Sequence, residues 1–492
     1  MNASNSTAPD PREVDLREAA ARLEHGHALG RLGQWADAAS RYREALGLAP
    51  GSVAAMLHLA DALGRLGEEA EVLALLRAAT EAAPDQGGAW LALGAAQRRA
   101  GQAEAAVEAY RRALFLAPRE MAARHGMGLA LADLDRLEEA VVWLNQAAEA
   151  GHVPAFAALG TALMNLGEPG AALHWFRTAL RAGDRAAGVR LGEGLALLTL
   201  GELRAGWEGY EARPVAAPFR AAVGATRWDG RQEVRGRTVL VWAEQGLGDS
   251  IMFARYLALL RQRGARVVLA VQEPLMALLA GLADDAVGEG ASVSFDLHCP
   301  LPSLPLAFGT GLGSVPADVP YIAADAALAG QWRRHLGAGL NVGLVWAGNP
   351  DHGRDRNRSL PFAAVAPLLG WAGATWHVLQ PRLAAEEAAA LTAMAGVRVP
   401  GPGFNDFADT AACIDGLDLV VTADTSVAHL AGAMGKRVWI MLEQGADFRW
   451  MRGRDDSPWY PTARLFRQGR RGDWGSVVAE VLAALPHVRP QG

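Results

Sequence analysis

Four short polar segments carry residue types and spacings that chemistry would need, and each follows an apolar run. The first is DLVVTADTSVAH, residues 418–429, continued by LAGAMG to Gly435. Its pattern predicts a strand ending at Thr422, a turn over Asp424, Thr425 and Ser426, and then a helix. The free N–H groups and dipole of that helix would face an anion, and a diphosphate would fit there. Thr425 and Ser426 can add hydroxyl donors, and His429, one turn in, shares the face that looks back toward a ligand. The same residues also suit a purely structural role, with Asp424 or Thr425 capping the helix and His429 hydrogen-bonded in a core.

The second segment is GLGD, residues 246–249. Its glycines allow the backbone, at Gly248 above all, to come close to a ligand, and they leave a carboxylate at the mouth of a helix expected over residues 250–263. Asp249 would then take a proton from an attacking hydroxyl, or simply cap that helix. The third is a basic loop, residues 346–361, that includes Asn349. Its Arg354, Arg356 and Arg358 would neutralise a departing diphosphate or form a solvated surface run. The fourth, EQGADFRW at 443–450, offers Arg449 to a phosphate or sugar, while Trp459 and Tyr460 just beyond it suit packing anchors. No Asp-x-Asp pair follows a strand in a metal-binding context, so no metal and no cofactor is expected.

These segments need strands to position them. Residues 238–242 and 266–271 read as buried strands of one set, and 342–348, 375–380, 417–422 and 438–442 as strands of a second, which starts at Asn341. The two sets, separated near residues 324–339, predict a bilobed α/β region with its ligand at the carboxyl ends of the strands.

Before residue 214 the pattern is helical and repeats. Gly33, Gly67 and Gly101 stand 34 residues apart, as do Pro50, Pro84 and Pro118, and Ala45, Ala79 and Ala113. Trp90, Leu93, Gly94, Tyr110 and Pro118 complete the third copy in the tetratricopeptide pattern. Degenerate copies follow around Gly128 and Gly160, and a sixth with Trp207 and Tyr210 closes an array that would hold an extended peptide or a partner protein. The expected plan is a tail at 1–15, repeats at 16–213, lobes at 214–335 and 336–485, and a tail at 486–492.

Bulk properties narrow the classes. The 492 residues carry a net charge of −6 with both signs interspersed, which disfavours nucleic-acid binding. Cys299 and Cys413 lack zinc-site spacing, the N-terminal sequence is polar and acidic, and no apolar stretch is long enough to span a membrane. A cytoplasmic protein is expected.

Taken together, WAEQGLGDSIMFARY, GLVWAGNPDHGRDRNRSLP, DLVVTADTSVAHLAGAMGKRVW and WYPTARLFRQ resemble bacterial proteins that join tetratricopeptide repeats to a heptosyltransferase-like (glycosyltransferase family 9-like) module. The resemblance implies a glycosyltransferase B-type fold of two Rossmann-like lobes. It also implies an inverting, metal-independent transfer of a sugar from a nucleotide-sugar donor. By that resemblance Asp249 would be the base, and Arg358, Gln380, Asp424, Thr425, Ser426 and His429 would hold the donor; Gly248, Asn349 and Arg449 join them as donor-binding candidates from the motifs themselves. Ser426 stands where glycine is common in lipopolysaccharide heptosyltransferases, which leaves the sugar open. The layout is similar to that of flagellin glycosyltransferases, which implies a protein acceptor held by the repeats. A lipid- or polysaccharide-directed transferase and a non-catalytic scaffold are the alternatives.

Overall fold

The computed structural model describes residues 11–214, 227–351, 353–399 and 404–490. The chain forms two compact units, one ending at Leu163 and including Arg181–Asp184, the other made of Met164–Leu180 and Arg185 onward.

The first unit is built of helix pairs: Pro11–Arg31 with Trp35–Leu48, Val53–Leu66 with Glu69–Ala82, Gly87–Arg99 with Ala103–Leu116, and Met121–Asp133 with Leu137–Glu149. The periodic alanines Ala45, Ala79, Ala113 and Ala147 are wholly buried. Large residues of one helix fill spaces left by glycines of another. A methyl group added to Gly126 would lie 2.4 Å from the Tyr110 ring, and one on Gly128 2.5 Å from Leu144. Gly33, Gly67 and Gly101 all adopt left-handed φ values. Asp135 follows in the same register with φ 64, a conformation aspartate tolerates, so the fourth copy keeps the period. The interval shortens only before Gly167.

Two terminal expectations need revision. Residues 11–15, expected in the tail, are helical, because Pro11 can open a helix and Glu13 complements its N-terminus. Residues 1–10 lie outside the described residues. At the other end, Leu485 and Val488 pack into the core of the second lobe, so the lobe runs past residue 485; residues 491–492 are outside the described set. Among the described residues no helix is long and apolar enough to cross a membrane.

The second unit opens with helical segments that include Ala187–Thr199 and Leu203–Tyr210. The last repeat therefore folds with the α/β region rather than with the earlier repeats. Two parallel sheets follow. The first contains β1 (Thr238–Trp242), β2 (Arg266–Val271), β3 (Asp285–Gly288) and β4 (Leu297–Pro300) in the order β3-β2-β1-β4. The second contains β5 (Asn341–Val345), β6 (Thr375–Val378), β7 (Val397–Arg398), β8 (Leu419–Ala423), β9 (Val438–Leu442) and β10 (Ala463–Arg467) in the order β10-β9-β8-β5-β6-β7. Every pairing is parallel. In each sheet the chain leaves its first strand in one direction and later crosses to that strand's other side. Connections diverge between β1 and β4 and between β5 and β8, the switch points where open α/β sheets bind ligands.

The helix expected over residues 250–263 is instead two, Leu247–Phe253 and Tyr256–Gln262. The break coincides with Arg255, whose buried guanidinium donates to the carbonyls of Met252, Pro316 at 2.9 Å and Trp459 at 2.7 Å, and to the Tyr321 hydroxyl. It also lies over the rings of Tyr321, Trp459 and Tyr460. Arg255→Met is expected to lower the unfolding free energy of this unit by about 3 kcal/mol, since each buried carbonyl left unpaired costs ~1–3 kcal/mol. Urea unfolding followed by tryptophan fluorescence measures this, and a wild-type midpoint would contradict it.

Candidate functional site

The turn after β1, the helix mouth after β8 and the loop after β9 meet within the second unit. Asp249 sits in the first turn of the helix Leu247–Phe253, where its Oδ2 accepts the Gly246 N–H at 3.0 Å. Its Oδ1 pairs with the Arg449 guanidinium. The other arm of Arg449 bonds Asp447 at 2.5 Å, and Asp447 also accepts the Arg449 backbone N–H at 3.0 Å. One guanidinium thus ties the carboxylate of the β1 turn to that of the β9 loop.

Close packing joins the β1 turn to the β8 helix. A methyl group on Gly248 would fall 2.8 Å from His429 Cδ2 and 3.5 Å from Ser426 Cα. Only glycine lets the GLGD backbone lie this near the helix Ser426–Ala433. Thr425 is the residue before that helix, yet no side chain caps it. The Thr425 hydroxyl is buried and bonds Thr422 Oγ1 at 3.1 Å. Thr425 is therefore turned inward, whereas Asp424 and Ser426 are partly exposed in an otherwise buried segment. Asp424 and Ser426, at the start of a helix that Thr425 does not cap, are what this segment leaves partly open to solvent.

Electrostatics follow from burial. Burial, reinforced by the neighbouring Asp447, pushes Asp424 up to about 6, with Trp450, Arg358 and Arg449 pulling the other way. Burial also pushes Glu443 up to about 7, against the pull of Arg354, whose guanidinium bonds it at 2.8 Å. Burial opposes ionisation of Asp447 too, but Arg449 and its N–H hold that carboxyl below the usual range. Burial, with Arg449 adding to it, drives His429 down to about 3. His429 is thus a neutral ring, bonded through Nδ1 to the Tyr460 hydroxyl at 2.9 Å and stacked on Trp450. It walls the site as a packed histidine.

The remaining predicted residues divide. Arg358 bonds Asp355 at 3.1 Å and lies against Gly348, where an added methyl would come 2.6 Å from its Nη2. Its charge is felt by both Asp424 and His429. Arg354 is committed to Glu443 and the Gly445 carbonyl, and Arg356 is exposed. Asn349 is exposed and accepts the Asp351 N–H, shaping the loop. Gln380 uses Oε1 to accept the N–H groups of Trp346 and Ala347, bracing the end of β5. Trp459 and Tyr460 are buried anchors. Asp447 and Glu443 were missed as site residues, although both stand in the EQGADFRW segment. Burial pushes the thiols of Cys299 and Cys413 up to about 12, which leaves neither as a thiolate nucleophile at neutral pH.

Comparison with known proteins finds these four matches among others. A tetratricopeptide-repeat family model matches residues 52–189. Protein FlbA of Caulobacter vibrioides is 26% identical over 359 residues, covering 66% of this chain, and the chain spans 60% of that relative's length. Among solved structures, a thermophilic tetratricopeptide-repeat protein of Thermus thermophilus is 23% identical, with a TM-score of 0.32, over 37% of this chain and 99% of its own. PilF of Pseudomonas aeruginosa is 18% identical, with a TM-score of 0.36, over 41% of this chain and 90% of its own. The chain is thus similar to tetratricopeptide-repeat proteins in its N-terminal solenoid, which is followed by an α/β region of parallel sheets.

Proposed function

We propose that the second unit is an inverting glycosyltransferase module that moves a sugar from a nucleotide-sugar donor to a hydroxyl of a protein acceptor engaged by the repeats. The observation that carries this reading is the close packing of the Asp249 turn, through Gly248, on the helix that Asp424 and Ser426 open, with Arg449 tying Asp249 to Asp447 of the β9 loop. In the proposed step the acceptor oxygen attacks the anomeric carbon while Asp249 takes its proton. The bond from that carbon to the diphosphate breaks, and the electron pair leaves on the diphosphate. Helix N–H groups and Arg358 stabilise that charge, a service needing no metal. The likeness to flagellin-modifying enzymes makes flagellin the first acceptor to try.

Incubating the whole protein with candidate nucleotide sugars, and following nucleotide release and acceptor mass, tests the proposal. No turnover with any donor, together with unchanged acceptor mass in cells carrying Asp249→Ala, would favour a scaffold. That second reading has support in Asp249 already being bound by Gly246 and Arg449. Met164–Leu180 and Arg185 onward fold with the lobes, and the helix Val153–Asn165 runs into that unit, so a deletion testing acceptor choice should stop before Val153.

Donor binding is expected to be proton-linked. A diphosphate beside Asp424 favours its neutral form, so binding takes up a proton while the free carboxyl, near 6, is ionised. Affinity for a nucleoside diphosphate therefore rises as pH falls toward 6 and levels off below it, and Asp424→Asn flattens the profile. Calorimetry in buffers of different ionisation enthalpy counts the proton. Equal heats in all buffers would remove Asp424 from the phosphate site.

A further inference from the structure

We propose that Tyr210, contributed by the last repeat, is a positioning residue that holds the Asp249 turn; this rests on reading that turn as catalytic. Tyr210 ends the helix Leu203–Tyr210 and is 3% exposed. Its hydroxyl donates to Gln245 Oε1 at 2.9 Å. Gln245 has φ 66, a left-handed conformation that a glutamine adopts only when its surroundings hold it there. The next residue, Gly246, gives its N–H to the Asp249 carboxylate. One hydroxyl thus anchors the strained residue from which Asp249 is aimed.

The neighbours reinforce this assignment. On the other side of the turn, Gln272 Nε2 donates to the Gln245 carbonyl at 3.4 Å, while its Oε1 accepts the Ser250 hydroxyl at 2.8 Å. Three residues beyond Tyr210, Arg213 pairs with Glu244 at 2.7 Å and lies over the Tyr210 ring. The end of the repeat therefore grips residues 244 and 245 together. The Tyr210 ring packs edge-on against Phe448, which adjoins Arg449, with centroids 5.3 Å apart. Burial pushes the Tyr210 hydroxyl well above its ordinary range, so it stays a donor at any working pH. Its hallmark position in the repeat explains the ring; nothing in the repeat pattern calls for the hydroxyl bond to Gln245.

Tyr210→Phe in the full chain separates the two roles, since it keeps the ring and removes only the hydroxyl. The expected result is a kcat reduced about tenfold, a donor KM within about twofold of wild type, and faster hydrogen exchange confined to residues 245–249. Gln245→Ala should reproduce the loss, and the double variant should be no worse than either alone. Wild-type kcat with wild-type exchange overturns the proposal, as do fully additive losses in the double variant. If the wild-type protein itself turns over no donor, the catalytic reading falls separately. Exchange at residues 245–249 then decides the positioning role, with faster exchange in Tyr210→Phe supporting it and unchanged exchange overturning it.

Discussion

Asp249→Asn is expected to lower kcat by roughly 10²–10⁴-fold, the range for losing a general base, while donor binding and the fold persist. Asparagine has the shape of the carboxylate and its side-chain oxygen can still accept the Gly246 N–H, so the first turn of the helix Leu247–Phe253 should survive. What it loses is the capacity to take a proton. In the structure Asp249 pairs with Arg449, which it shares with Asp447. On the proposed mechanism an incoming diphosphate would compete for the same guanidinium and so couple donor binding to exposure of the base. Single-turnover transfer measured beside calorimetric donor binding checks the expectation. A variant that transfers sugar at the wild-type rate would end the assignment of Asp249 as base.

Arg449→Gln should have the second largest effect, and on stability as well as on rate. The guanidinium is nearly buried between Asp249 and Asp447, and burial is offset by those two carboxylates, which raise its own pKa well above the ordinary value. Removing it leaves two carboxylates without their partner, a change that typically costs about 3–5 kcal/mol. In wild type Asp447 is held below its unfolded pKa, so its contribution to stability is present above the usual carboxylate range and lost as pH falls through it. In the variant Asp447 is no longer compensated, its pKa rises with burial unopposed, and acidification relieves it. The gap in melting temperature between wild type and variant should therefore be wide at about pH 7.5 and narrower at about pH 5. A gap independent of pH would show that Arg449 acts by packing on Phe448 rather than by charge.

Much of the architecture was legible because its determinants are local. The recurrence of Gly33, Gly67 and Gly101 marks positions needing a left-handed backbone, and the buried alanines mark close helix contacts. Strands β1, β2 and β9 were recognisable as continuous apolar runs, as strands buried on both faces must be. β3, β4, β7 and β10 were not. β3 is half exposed, β4 contains His298 and Pro300, β7 has two residues and β10 carries two arginines, so periodicity and hydropathy are weak in each. The break at Arg255 was equally hidden, since its partners Pro316 and Trp459 lie 61 and 204 residues away.

The amino-acid pattern alone determined a repeat solenoid followed by parallel α/β structure, and placed the polar motifs after strands. It did so through residue types whose backbone and burial requirements are met by near neighbours in the chain. Tertiary structure alone decided which side chains are spent and which remain open. Thr425, His429 and Gln380 turned out to be engaged inside the fold, while Asp424 and Ser426 stay partly open. It also decided that the last repeat folds with the lobes and that Arg449 joins Asp249 to Asp447. These outcomes depend on contacts between segments up to 200 residues apart. No local period or motif encodes such a distance; only the packing of the whole chain sets it.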